Sequence, residues 1–483
     1  MVPPSRIRPL NTASPREDAA YVLYWMVSAR RTEWNHSLQH AAEEAERRAL
    51  PLVIFEPLRC GYRWASARHH RFIIDGMRDN AAHLADRPVT YYPYIEPLAG
   101  AGQGLLAALA SRAALVVTDD YPAFFLPRML AAAADALDVP LLAVDSNGLL
   151  PLSATEAEKT TAHSFRRLYQ KRIRPHIGDL PDASPLATRT LPPLGGLPAD
   201  ITDRWPAADL DTIDLSALPI DQNVAPVTDT PGGPVAAQAR WQEFRTERLS
   251  RYHLDRNRVD IDGATGLSPY LHYGHIAVHQ IFTDLAEDEG WQPSMLPEKA
   301  TGSREGWWGM SAPAEAFIDE LLIWRELGLH FCHHRPDYAR YDSLPDWAQR
   351  TLAIHASDER PHTYTLEQLD LGQTHDSLWN ACQSQLRTEG RIHNYLRMLW
   401  GKKILEWSPT PQDALDAMVE LNNRYALDGR DPNSYSGIFW VLGRFDRAWG
   451  PERPIFGKIR FMSTASTRRK LKVKGYEQDH CSG

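Results

Sequence analysis

The sequence predicts an α/β N-terminal domain, a Rossmann-like parallel sheet, followed by a large all-α C-terminal domain. Three observations predict it. Short apolar runs alternate with helix-period segments over the first 150 residues. A proline-rich stretch follows, with ten of the chain's 36 prolines between residues 181 and 234. Beyond it no strand pattern recurs with any strength, and the apolar spacing is helical. At 483 residues the chain is too long for one ordinary core. The expected division is an α/β domain over 20–150, a connector over 176–235 and a helical domain over 236–475.

The elements follow in order. YVLYWM (21–26), PLVIFEPL (51–58), VTYYPYI (89–95), ALVVTDD (114–120) and PLLAVDS (140–146) are short, β-rich and bounded by proline or polar residues, as buried strands are. Between them NHSLQHAAEEAERRA (35–49) and ASARHHRFIIDGMRDNAAHLA (65–85) have helical period. No GxGxxG follows the first strand, so the likeness to a dinucleotide-binding domain is one of layering only. In the second half, WQEFRTERLSRY (241–252), AEAFIDELLIWRELGLHF (314–331), LWNACQSQLRTEGRIHNYLRMLWGKKILEW (378–407) and PQDALDAMVELNNRY (411–425) are all expected to be helical.

Composition narrows the class. Hydrophobic content of 43% and charged content of 24% are those of a globular protein. No apolar run reaches the roughly 18 residues of a membrane span, and the N-terminus lacks an apolar signal region. Cys60, Cys332, Cys382 and Cys481 form no CxxC pair, which argues against a zinc site or a disulfide framework and fits the reducing cytoplasm. Net charge is −8, yet residues 441–475 carry ten basic residues against Asp446 and Glu452. That strip is either a solvated tail or a phosphate-facing surface on an otherwise acidic protein.

Four segments carry candidate chemistry. In TGLSPYLHYGHI (265–276), Ser268 and Pro269 signal a helix start, and Gly266 lets backbone N–H groups approach a phosphate. Glu320 and Trp324 are four residues apart, on one helical face. The run from Asn422 and Asn423 through Asp428, Asp431 and Asn433 to Trp440 is densely polar but lacks calcium-loop spacing, and no metal site is expected. Trp379, Trp400 and Trp407 crowd one helical stretch, which on its residues alone reads as a stripe of core side chains.

Taken together, LPIDQNVAPV, GLSPYLHYGHI, GWWGMSAPAEAFIDELLIWREL, HDSLWNACQ, RIHNYLRMLWGKKILEW, NNRYALDGRDPNSYSGIFW and RPIFGKIRFM, in this order over residues 219–463, resemble the class II cyclobutane pyrimidine dimer photolyases of the photolyase/cryptochrome superfamily. VLYWMVSARRTEWNHSL resembles the family's opening strand and helix more loosely. The resemblance implies an antenna domain, a long connector and a helical domain holding FAD. It implies that reduced, anionic flavin, excited by light, donates an electron to a flipped-out pyrimidine dimer in UV-damaged DNA, splits the cyclobutane ring and recovers the electron.

The same resemblance implies roles for individual residues. Tyr252, Thr265, Gly266, Leu267 and Ser268 match the flavin-phosphate region; Asn422 matches the residue facing flavin N5; Arg397 and Asp428 match an ion pair beside the isoalloxazine ring. Glu320, Trp324 and Trp440 match the dimer pocket, with the carboxyl bonded to the base and the two indoles cradling it. Trp400 and Trp379 match an electron-hopping pair, with Trp407 as a branch. Arg447, Lys458 and Arg460 of the basic strip are the expected phosphate contacts. Asn423 departs from the aspartate common at its position, and residues 27–34 depart from the commoner pattern, leaving the antenna pigment open between 8-hydroxy-5-deazaflavin and none. A monomer is expected. The competing readings are a cryptochrome-like blue-light photoreceptor, against which Glu320, Trp324 and Trp440 speak, and a flavin-free nucleic-acid-binding module.

Overall fold

In the computed structural model residues 1–480 are described, so Cys481 lies outside the described residues. A six-stranded sheet is ordered β1-β6-β5-β2-β3-β4. Strands β2 (Tyr21–Trp25), β3 (Leu52–Leu58), β4 (Thr90–Ile95), β5 (Ala113–Asp119) and β6 (Leu141–Val144) are mutually parallel. They fall on the five expected runs. The addition is β1 (Ile7–Pro9), a three-residue edge strand antiparallel to β6. Its residues, Ile-Arg-Pro, are too few to carry an alternation, and the proline is tolerated because the strand is at the edge.

Period-two alternation sends Tyr21, Leu23, Trp25, Val53, Phe55 and Val116 to one face, against Leu105, Leu109, Leu130 and Trp205. Val22, Tyr24, Leu52, Ile54 and Val117 go to the other, against Leu38, Ala41, Ala42 and Ala45 of the helix His36–Arg48. All five residues of β2 are buried, as a strand covered on both faces must be.

The strand order reverses between β2 and β5, where open α/β sheets usually take a ligand. Here Asp119, the last residue of β5, accepts the backbone N–H groups of Val27, Ser28 and Ala29 and the Tyr24 hydroxyl. Next to it Arg30 pairs with the fully buried Glu56 at 2.9 Å. The loop after β2, where the sequence departs from the commoner pattern, is thus fastened by the protein's own carboxylates.

The chain forms two compact units: Met1–Glu156, Arg172–Glu243 and Gly266–Pro293 in the first, Ala157–Lys171, Phe244–Thr265 and Ser294–Gly483 in the second. Within the first, the proline-rich stretch packs on the sheet: Trp205 is buried and donates its indole N–H to the Ala101 carbonyl.

The second unit is helical, and after Val144 no strand forms among the described residues. A continuous rod runs from Ala312 to His334, with a π-helical turn at Asp319–Trp324 in its middle. Residues 378–407 form two helices rather than one. Asp376 caps Ser377–Glu389, Gly390 ends it at φ 67°, and Asn394–Trp407 starts afresh with His393 as its cap. Pro411–Tyr425 opens with a Thr410/Asp413 capping box, and Pro432–Val441 opens under Asp431. No helix among the described residues is long and apolar enough to cross a membrane.

The Asp119 carboxylate is the single acceptor for three backbone donors of the β2 loop. Asp119→Ala is expected to destabilise the protein by about 3–5 kcal/mol, because charge-assisted bonds are removed and buried donors are orphaned. Urea unfolding of the two proteins measures the difference, with Asp119→Asn expected to recover part of it.

Candidate functional site

The helices Ser377–Glu389 and Asn394–Trp407 bring the three indoles together. Trp379, Trp400 and Trp407 are each 2% exposed or less. The Trp379 and Trp400 rings are parallel, 2° apart in tilt, with centroids 6.5 Å apart. Trp379 also meets Trp407 edge-on at 5.5 Å. Trp379 is therefore the hinge of the chain, although spacing along the helix links Trp400 with Trp407. Each inner indole has a fixed partner: Trp379 Nε1 donates to the Trp400 carbonyl at 3.0 Å, and Trp400 Nε1 donates to Gln383 Oε1 at 2.9 Å. Tyr364 continues the contacts outward, 5.2 Å from Trp407, with its hydroxyl bonded to the exposed His375 at Nδ1. Neither residue stands out in the sequence, because the segment holding Tyr364 has no periodicity.

A second group gathers where Pro411–Tyr425 ends and Pro432–Val441 begins. Asn422 and Asn423 are 2% and 0% exposed. Asn423 Oδ1 accepts the backbone N–H of Arg430 at 2.8 Å, and Asn423 Nδ2 donates to the Tyr435 hydroxyl at 3.0 Å. Asn422 Nδ2 donates to Ser434 Oγ at 2.7 Å and to Asn423 Oδ1 at 3.3 Å. Among the described residues nothing donates to the Asn422 side-chain oxygen. Across the same turn Arg397 pairs with Asp428, its Nη2 3.3 Å from Oδ1. Arg397 Nε is buried and has no partner among the described residues.

The third group sits on the π-helical turn. Glu320 accepts a short hydrogen bond from Arg256 Nη1, and its side chain is 33% exposed. Burial raises the Glu320 carboxyl above the usual range, and Arg256 opposes that rise. Arg256 is another residue that sequence reasoning passes over; it lies 64 positions from its partner. Trp324 stacks on Trp440 with centroids 4.7 Å apart and 17° between planes. The two rings touch, so no base fits between them; they offer a joint apolar surface. The Trp440 indole N–H is buried without a partner among the described residues.

The flavin-phosphate candidates divide between the units, Tyr252 and Thr265 in the second, Gly266, Leu267 and Ser268 in the first. Tyr252 is buried and meets Phe244 and Phe317 edge-on. Ser268 does not cap a helix: the helix is one short turn, Ser268–His272, with Leu267 at the cap position and no side-chain cap bond. Gly266 is required on other grounds. Its φ is +68°, and a Cβ there would lie 2.6 Å from Arg240 Nε.

Of the basic strip, Arg447, Lys458 and Arg460 are exposed. Arg447 and Arg460 both lie over the Trp449 ring, at 4.3 and 5.2 Å. Lys458 is 3.6 Å from Glu452. Arg444 belongs to the interior instead: it is 2% exposed and stacked on Phe439 at 3.7 Å. No cluster of metal-ligating side chains occurs among the described residues.

The DNA photolyase family profile matches residues 22–185. The chain is 33% identical to a deoxyribodipyrimidine photo-lyase of Methanothermobacter thermautotrophicus, over 99% of this chain and 98% of that protein. It is 32% identical to the enzyme of that name from Potorous tridactylus, over 94% of this chain and 80% of the other. Among solved structures, a class III photolyase from Agrobacterium tumefaciens superposes with a TM-score of 0.67 at 15% identity, covering 96% of this chain and 86% of that one, which speaks for the fold. The chain belongs to the DNA photolyase family.

Proposed function

We propose that this protein is a light-driven DNA repair enzyme, a deoxyribodipyrimidine photo-lyase of class II that splits cyclobutane pyrimidine dimers. The observation that carries the light-driven, flavin-dependent part of the proposal is the chain of buried indoles, Trp400 to Trp379 to Trp407, with ring centroids 6.5 and 5.5 Å apart. Packing alone does not require three of the largest side chains in ring-to-ring contact. A path for single electrons does, because indoles are oxidisable. The family relationship supports the same reading.

FAD is the cofactor that the resemblance implies, and the residues present fit a planar, polar-edged group. Arg397 Nε is a buried donor without a partner among the described residues, and no hydrogen bond to the Asn422 side-chain oxygen forms among them. Buried donors of this kind normally have a partner. Asn422, Arg397 and Asp428 would hold the isoalloxazine ring. Tyr252 and Thr265, in the same unit, would face the phosphates. Bound there in its reduced, anionic form, FAD would supply an electron to the dimer on illumination and recover it after the ring splits.

The remaining roles fall to side chains of the protein. The joint surface of Trp324 and Trp440 stacks against the extruded bases and excludes water from them. Glu320, its pKa raised by burial and held down in part by Arg256, is placed to hydrogen-bond with an extruded base. That bond strengthens when the base takes on negative charge, so it favours the reacting state over the bound ground state. Arg256 keeps the carboxyl in place. Arg447, Lys458 and Arg460 contact phosphates, and the Trp449 ring holds two of those cations in register. The protein acts as a monomer in the cytoplasm.

The reading is tested by illuminating the purified protein with an oligonucleotide carrying one thymine dimer, and analysing its pigments in the same sample. Repair that requires light and a bound flavin is the expected result; a colourless protein that repairs nothing would refute it. The pigment analysis also decides between a deazaflavin antenna and none.

Two variants separate the parts. Trp400→Phe should keep its flavin and, once chemically reduced, its repair. Its photoreduction should slow by roughly tenfold or more, each tenfold being about 1.4 kcal/mol of barrier. Transient absorption supplies the rate. Replacing Arg447, Lys458 and Arg460 with Gln should weaken binding to damaged and undamaged DNA alike. For every phosphate that the variant no longer neutralises, the slope of log affinity against log salt should flatten by about 0.9. Binding isotherms over a salt series would reveal it.

A further inference from the structure

Lys402 is buried to 1% exposure in the middle of the helix Asn394–Trp407. Its ammonium has one hydrogen-bond partner among the described residues, the carbonyl oxygen of Val441. Val441 ends the helix Pro432–Val441 and directly follows Trp440. Carbonyls in the last turn of a helix lack intrahelical donors and sit at its negative end, so a cation there is well placed.

The approach of the two helices is built into the sequence. A Cβ on Gly401 would lie 2.5 Å from Val441 Cγ2 and 3.0 Å from Met418 Sδ, so residue 401 has no room for a side chain. Past Val441 the backbone reverses through Gly443, at φ +105°, and Phe445, at φ +62°. It then enters the segment that carries Arg447, Lys458 and Arg460. Of the surrounding charges, Asp446 favours the ammonium and Arg460 opposes it. No carboxylate lies in ion-pair contact with it among the described residues.

A methionine of similar volume would fill this space without burying a charge but would take this donor from the Val441 carbonyl. What the lysine adds to packing is therefore its hold on the end of that helix. We propose that Lys402 is a positioning residue that holds the end of the Trp440 helix and makes the hold on damaged DNA depend on proton uptake. The proposal rests on the placement of Trp440 in the lesion pocket.

The sign follows from the surroundings. Burial lowers the Lys402 pKa to about 7, so the ammonium is present below that pH and is lost above it. The charged form makes the stronger bond to the Val441 carbonyl. A phosphate at Arg460 would cancel the charge that opposes the ammonium, so bound DNA favours protonation. By reciprocity, protonation favours DNA, and affinity falls as pH rises through the neutral range.

The test uses the full-length flavoprotein and two duplexes, one with a thymine dimer and one without, at constant ionic strength. Between about pH 6 and about pH 9, lesion affinity of the parent should fall about fivefold or more. Calorimetry in two buffers of different ionisation enthalpy should show proton uptake on binding. Lys402→Met should bind more weakly at low pH, with a flat profile and no proton uptake. Lys402→Arg, always charged, should restore lesion preference with a flat profile. Should the arginine variant not fold, the parent and Lys402→Met still decide the matter. Equal pH profiles and equal proton uptake in those two would overturn the proposal. Trp440→Ala tells the two failures apart: unchanged lesion preference in that variant would mean that the pocket assignment, and not the lysine, is at fault.

Discussion

The backbone N–H of Arg430 can only donate, and the orientation of the Asn422 and Asn423 amides depends on that. Its acceptor must be an oxygen, which orients the Asn423 amide with Oδ1 toward the loop. The atom of Asn422 that approaches the same oxygen must then be its nitrogen. Ser434 takes the second hydrogen of that nitrogen, so the Asn422 oxygen remains available as an acceptor among the described residues. The side-chain amides cannot flip without leaving the Arg430 donor buried and unpaired, at about 1–3 kcal/mol. The bond also anchors a tight loop. Arg430 sits at φ +71°, and a Cβ on Gly429 would fall 2.9 Å from the Asn422 carbonyl oxygen. Asp428, the partner of Arg397, lies on this loop. An aspartate at 423 could accept the same bonds but would bury a charge beside Asn422; asparagine instead donates to Tyr435.

The π-helical turns show a related economy of placement. One, Asp319–Trp324, carries both Glu320 and Trp324; the other, Phe244–Arg248, lies just before Tyr252. Wide turns weaken a helix and are found mostly where a side chain must be aimed. Here the widened rod is clamped from outside: Arg166 pairs with Asp319 through two bonds, at 2.7 and 3.0 Å. The ion pair is buried on both sides, so breaking it would leave a charge unpaired. The turn that presents Glu320 is thereby held by the residue just before it.

Local chemistry decided what could be read in advance. The five parallel strands were legible because each is a β-rich run between polar or proline boundaries, whereas Ile7–Pro9 forms only because β6 is there to pair with it. The spacing of Glu320 and Trp324 was legible, but a π turn and an α turn share that spacing nearly enough to hide the difference. Gly390 stood in plain view, and the tryptophans on either side masked its role as a helix stop. Trp324 and Trp440 were legible as a pair only through family likeness; that their rings touch is a fact of three dimensions. Arg256, Gln383, Ser434, Trp449 and Lys402 share one property. Each acts through a partner brought to it by the fold, and nothing in its immediate neighbours sets it apart.

The indole N–H groups of the inner pair have a consequence for charge. A tryptophan that loses an electron becomes a much stronger N–H acid, and whether it keeps its proton depends on the base beside it. Trp379 gives its hydrogen to a peptide carbonyl and Trp400 gives its own to a carboxamide. Both are among the weakest bases a protein offers, and both sit away from water. In the proposed path a positive hole would therefore move between the rings as a hole, with no proton lost along the way. Nothing at either ring would trap it, so its passage stays reversible until it reaches solvent.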